Sequence, residues 1–145
     1  MILSHKHKFI FLKTNKTAGT SLEVALSRHC GSGDIITPLD DENEQQLREL
    51  GYTGARNYIV PIPLQQYEPR DWARLLIKGK RRNVRLYSHA RARQLEELLP
   101  ATVWNSYFKF CFERNPWDRA VSFFYYWQDR DPTLDFDDFL QSPRL

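Results

Sequence analysis

Lys8-Phe9-Ile10-Phe11-Leu12, followed without a break by Lys13-Thr14-Asn15-Lys16-Thr17-Ala18-Gly19-Thr20-Ser21, decides how this chain folds. The first five residues are a short apolar run of aromatic and branched side chains, the composition of a buried strand. Polar residues end the run, and from Thr20 the pattern changes. Leu22, Val24, Ala25 and Leu26 recur at helical spacing, Thr20 and Ser21 are suited to the N-cap, and Gly31 and Gly33 close the segment. The opening therefore reads strand, loop, helix.

The same unit recurs towards the other end. Tyr107 to Phe112 reads as an aromatic-rich strand that runs into Arg114-Asn115-Pro116-Trp117-Asp118. There Asn115 suits an N-cap and Pro116 the first helical position, and the helix continues through Ala120, Val121, Phe124 and Tyr125. In between, a helix is expected from Asp41 to about Leu50, stopped by Gly51, then an irregular Pro61-Ile62-Pro63 connection. A second helix is expected from Pro69, with Asp71 in its first turn, to Ile77. Val84, Leu86 and Tyr87 alternate with polar residues and predict a strand with His89 at its carboxyl end. The helix after it carries Leu95, Leu98 and Leu99 and is halted by Pro100. Strands separated by helices predict an α/β fold, a three-layer sandwich with a central, mostly parallel sheet flanked by helices. In such sheets ligands collect outside the carboxyl ends of the strands.

Composition bounds the rest. A chain of 145 residues with 41% hydrophobic and 14% aromatic content is expected to form one domain spanning residues 1–145. At that size a domain buries roughly 68–70% of its unfolded surface and needs no metal or disulfide staple. Met1-Ile2-Leu3-Ser4 turns basic at once with His5, Lys6, His7 and Lys8, so it reads as no signal peptide, and no apolar stretch suits a membrane span. Cys30 and Cys111 suggest neither a disulfide framework nor a zinc site, and a reducing, cytoplasmic setting is expected. The formal charge of +3 is uneven: Lys78, Lys80, Arg81, Arg82, Arg85, Arg91 and Arg93 crowd one stretch, which suits an anionic partner.

The loop from Lys13 to Ser21 is a phosphate cradle by position, because a helix N-terminus offers unpaired N–H groups and the positive end of its dipole. Gly19 allows close backbone approach, the hydroxyls of Thr20 and Ser21 are donors, and Lys16 adds a mobile charge. It is not a Walker A loop, since the lysine precedes the glycine, so ATP-type phosphoryl transfer loses support.

Lys16-Thr17-Ala18-Gly19-Thr20-Ser21 resembles the 5′-phosphosulfate-binding loop of sulfotransferases that use 3′-phosphoadenosine 5′-phosphosulfate (PAPS). The stretch from Phe110 to Ser122 resembles the same superfamily's 3′-phosphate-binding segment, with Arg114 at a strand end and Ser122 eight residues on. The fold implied is P-loop-like. The resemblance is to the carbohydrate branch, especially heparan sulfate 2-O-sulfotransferase, where a histidine between the two motifs is the catalytic base; the matching position is His89 in Arg85-Leu86-Tyr87-Ser88-His89. Histidine suits this task because its neutral ring accepts a hydroxyl proton near neutral pH.

The resemblance implies transfer of a sulfuryl group from PAPS to a hydroxyl, with a carbohydrate as acceptor and no metal. Lys16 and His89 are then the catalytic residues, and Lys13, Lys16, Thr17, Ala18, Gly19, Thr20, Ser21, Arg114 and Ser122 hold the nucleotide. The basic segment from Lys78 to Arg93 is expected to steer a sulfated or uronic-acid polysaccharide towards His89. Two departures stand out: Asn15 replaces the proline that many relatives carry, and the chain ends at Leu145 where relatives usually continue into an acceptor-site portion. The second departure supports an alternative, a catalytically incomplete nucleotide-binding module acting with a partner chain. A second copy of the chain is a candidate to cover an open sheet edge, making a homo-oligomer. No nucleic-acid motif accompanies the basic cluster, and no nucleic-acid partner is expected.

Overall fold

A computed structural model describes residues 1–60, 68–80 and 83–142 of the chain. The first two strands, β1 (Ile2–Ser4) and β2 (Phe9–Phe11), form a hairpin in which Ile2 pairs with Phe11 and Ser4 with Phe9. Lys8 closes the turn with a φ of 55°. β3 (Ile35–Ile36) pairs antiparallel with the other side of β1, and β4 (Phe108–Phe110) pairs parallel with β2. The order is β3-β1-β2-β4.

This is a mixed sheet, and the expectation of a mostly parallel one is corrected: only the β2–β4 pair is parallel. The reason lies in connection length. Residues 5–8 alone separate β1 from β2, whereas a parallel crossover needs about a dozen residues. The strand expected at Val84 to Tyr87 is also corrected. That segment lies beside Tyr58–Val60, where the Val60 and Leu86 amides donate to Val84 and Tyr58 across a single Ile59–Arg85 bridge, outside the main sheet.

Most of the helices fall close to where the sequence places them. α1 (Gly19–Ser27), α2 (Asp41–Glu49), α3 (Pro69–Lys78), α4 (Ala92–Leu98) and α6 (Pro116–Gln128) match the expected segments to within a few residues. Asp40 caps α2 by accepting from the Asn43 amide, and Asn115 caps α6 by accepting from Trp117. Two further helices, α5 (Ala101–Ser106) and α7 (Phe136–Gln141), were not expected. Pro100, which stops α4, is itself the N-cap of α5, and Asp135 caps α7 from within an acidic stretch that reads in sequence only as charge. The Pro61-Ile62-Pro63 connection lies outside the described residues, as do Arg81 and Arg82.

Strand alternation sorts the core into two clusters, because successive side chains point to opposite faces. Ile2 and Phe11 join Cys30 and Ile36 on one face, with Leu22 and Leu26 of α1 against them. Leu3 and Ile10 join Met1, Val60, Leu86, Ala90 and Leu95 on the other, where residues of α4 and α5 complete the packing. The sheet is thus flanked by helices.

Asp34 ties this frame together. Its buried carboxylate accepts from the Ser4 hydroxyl (3.0 Å) and the amides of His5 (2.6 Å), Lys6 (3.2 Å) and Gly31 (2.8 Å), joining the β1–β2 turn to the approach to β3. Burial opposes its ionisation, but the hydrogen bonds from Gly31, Lys6, Ser4 and His5 outweigh burial and hold the carboxyl below its ordinary pKa. The same burial, with Asp34 nearby, pushes the Cys30 thiol up to about 11, whereas Cys111 is exposed.

Asp34→Ala should lower stability in denaturant titration by about 1–3 kcal/mol, the cost of orphaned donors. A depressed carboxyl pKa stabilises fully above the unfolded value and loses its contribution as pH falls through the folded one. The wild-type advantage over the variant should therefore shrink on acidification below the ordinary aspartate range. At mildly alkaline pH a maleimide should label Cys111 in the folded chain and leave Cys30 unmodified until denaturant is added.

Candidate functional site

The parallel pairing of β2 with β4 sends both chains out of the sheet at the same end, so the loops that follow them are neighbours. The Leu12 amide donates to Phe110 (2.9 Å), and beyond the last strand residue the Thr14 hydroxyl donates to the Phe112 carbonyl (2.6 Å). A cleft of about 790 Å³ opens there. Lys13, Lys16, Ala18, Gly19 and Thr20 border it from the first loop, Arg114 and Ser122 from the second, and His89 from a third segment.

The first loop is built for an anion. Lys16 and Ala18 are both left-handed, with φ of 60° and 59°, a conformation that costs non-glycine residues roughly 1–2 kcal/mol each. Beneath them Thr17 is buried, and its hydroxyl donates back towards Thr14, which fixes the turn. Turns of this kind form anion-binding concavities. Ala18 is the N-cap of α1 and supplies no side-chain cap, so the first-turn amides have no side-chain acceptor where the helix dipole is positive.

Lys13 organises the floor. Its ammonium donates to Glu23 (2.7 Å) and to the Thr20 hydroxyl oxygen (2.9 Å). Because that oxygen already accepts, the Thr20 hydrogen remains available to a ligand. Glu23 is buried and also accepts from the Met1 ammonium, so Lys13 is an ion-paired scaffold here, not a mobile charge. The lysine stem explains the glycine: a Cβ on Gly19 would lie 2.6 Å from Lys13 Cγ.

His89 stands at the cleft with its Nδ1 3.1 Å from the Lys13 carbonyl. A carbonyl only accepts, so Nδ1 carries the hydrogen and the neutral ring presents a lone pair at Nε2. The segment is pinned by the Ser88 hydroxyl, which donates to Pro38 (2.9 Å).

On the second loop, Arg114 is exposed at the cleft and forms no ion pair among the described residues. Ser122 follows two turns into α6. Thr17 and Ser21, also expected in the site, do not line the cleft: the first is buried under the loop and the second is exposed on α1. Of the basic segment, no described residue from Lys78 to Arg93 other than His89 and its neighbour Ser88 lines it.

Sequence reading missed Asp40, Phe123, Tyr126 and, as a site residue, Trp127, all of which border the cleft. The signal for Tyr126 was helical spacing, four residues after Ser122 on one face of α6. Its ring receives the Lys16 ammonium at 4.8 Å and the Arg130 guanidinium at 3.7 Å from its centre. Asp40 stays ionised, since hydrogen bonds from the Asn43 amide and side chain lower its pKa. No group of three or more His, Cys, Asp or Glu residues suited to a metal occurs among the described residues, and no described helix is long and apolar enough to cross a membrane.

Gly19→Ala should displace the Lys13 stem and break its bond to Thr20, with a stability loss of about 1–3 kcal/mol measurable by thermal denaturation. Comparison with protein families matches the sulfotransferase family over residues 1–139, from the first strand into α7. No match was found among curated proteins or among solved structures. A family pattern that runs through nearly every element described above, including both loops at the cleft, makes this chain a member of the sulfotransferase family, whose chemistry is sulfuryl transfer.

Proposed function

We propose that the cleft binds PAPS and that the chain transfers its sulfuryl group to a hydroxyl, on a carbohydrate or a chemically similar acceptor. One observation carries this reading: the uncapped, strained start of α1 and Arg114, which forms no ion pair among the described residues, border one cleft of about 790 Å³, a volume suited to a small-molecule ligand. The residues present fit such a nucleotide. Lys16 and Arg114 bring positive charge to the cleft, Lys13 being held by Glu23, and among the described lining residues Asp40 is the one carboxylate.

The α1 amides and the Thr20 hydroxyl would hold the 5′-phosphate, and Arg114 with Ser122 would hold the 3′-phosphate, the guanidinium pairing bidentately. PAPS supplies a sulfuryl group whose bond to the 5′-phosphate oxygen breaks as the acceptor oxygen bonds to sulfur. His89 Nε2 takes the acceptor's proton, and its Nδ1 hydrogen bond to the Lys13 carbonyl keeps the ring oriented for this. Lys16, drawn from the Tyr126 ring, would balance charge growing on the bridging oxygen. Most of the rate gain comes from positioning and fixed charge.

The first test is calorimetric titration with adenosine 3′,5′-bisphosphate against adenosine 5′-monophosphate. The bisphosphate should bind at least about tenfold more tightly, equivalent to about 1.4 kcal/mol, and Arg114→Ala should erase that difference. Equal affinity for both nucleotides would overturn the nucleotide assignment. Transfer of labelled sulfate to a glycan panel tests the rest. Lys16→Ala and His89→Ala should each lower turnover by roughly 10²-fold or more while changing nucleotide affinity little. Binding without any transfer would select the non-catalytic module instead.

A further inference from the structure

The helix that contributes least to the core has the most segregated surface. α3 (Pro69–Lys78) has no buried residue, and Leu76 and Ile77 each keep 81% of their surface exposed. Two such side chains, side by side in water, are a liability that a surface helix normally avoids. The helix is nonetheless well specified: Glu68 and Asp71 form a reciprocal capping box, Pro69 opens it and Gly79, left-handed at φ 61°, closes it.

Its side chains separate by chemistry around the axis. Arg70, Arg74 and Lys78 recur every four residues and so form one ridge. Trp72, Ala73, Leu75, Leu76 and Ile77 take the remaining circumference, with Trp72 48% exposed. Asp71 is the one acid in the helix, and the sequence continues through Lys80, Arg81 and Arg82. Six cations against one acid give residues 70–82 a formal charge of +5.

We propose that α3 is an interfacial helix that lies in the plane of an anionic lipid surface. Three features select this occupant. The broad apolar face, including a tryptophan, matches the headgroup boundary, where such a face sinks about 5–10 Å. The cationic ridge complements anionic headgroups, and the following run of Lys80, Arg81 and Arg82 extends that attraction. A free polyanion such as a sulfated polysaccharide would use the cations but leave Leu76 and Ile77 in water. A protein groove would take a narrower apolar stripe and has no need of an almost uncompensated line of positive charge. The proposal does not depend on the nucleotide assignment, since no residue of α3 borders the cleft.

Sedimentation of the whole chain with vesicles tests it, comparing phosphatidylcholine alone with phosphatidylcholine containing about one third phosphatidylserine. Binding to the anionic vesicles should exceed that to the neutral ones by at least about tenfold, weaken in high salt, and shift tryptophan emission to the blue. Leu76→Asp with Ile77→Asp should abolish it. Both positions are exposed, so the melting temperature of that variant should be unchanged; if it is not, Leu76→Ser with Ile77→Ser serves in its place. Failure to bind either vesicle overturns the proposal and leaves the face to a protein partner. Undiminished vesicle binding by the apolar-face variants overturns it as well, because charge alone would then account for the attraction.

Discussion

The parallel pairing of β2 with β4 is the interaction on which the site depends. These strands lie about a hundred residues apart in sequence, yet the Phe108 amide donates to Lys8 and the Leu12 amide to Phe110, each at 2.9 Å. Phe9, Phe11, Phe110 and Phe112 pack around this seam with ring centres 5.4–6.2 Å apart. Because the pair is parallel, the loop leading into α1 and the loop leading into α6 leave the sheet together. An antiparallel pair would send them to opposite ends, and a one-residue slip would turn Phe110 out of its cluster.

The first loop shows how folding and binding compete at one place. Left-handed Lys16 and Ala18 and an uncapped α1 each cost stability, and strain of this kind persists only where surrounding structure over-determines it. The compensation is visible in the buried Thr17 hydroxyl, in the Thr14 bond to Phe112, and in Lys13 held by Glu23. Lys13 has two outputs from one side of the site. Its ammonium orients Thr20 and its carbonyl orients His89, so a disturbance of the loop reaches the histidine without touching it directly.

How much of this was legible depends on the range of the forces involved. Helix starts were readable because a cap is a contact between residues two or three apart: Asp40 accepts from Asn43, and Asn115 accepts from Trp117 with Pro116 between them. The two loops were readable because Gly19 and Arg114 sit where an apolar run gives way to a helical period. Thr17 lies within the strained turn, where orientation follows from φ values that sequence spacing does not convey, and Ser21 lies in the first turn of α1, outside the residues that border the cleft. Tyr126 escaped notice because an aromatic on a helix usually signals core packing.

By itself, then, the chain's order of residues determined the local matter: where the apolar runs lie, where helices begin and stop, and which loops carry a glycine, a lysine and an arginine suited to anions. The tertiary structure alone decided that β1 and β3 exist, that the sheet is mixed, that residues 84–87 run beside Tyr58–Val60, and that Asp40 and Tyr126 join the cleft. Strands of two or three residues are too short to show a period. Their partners and directions are set by backbone bonds between distant segments, which only the folded chain brings within reach.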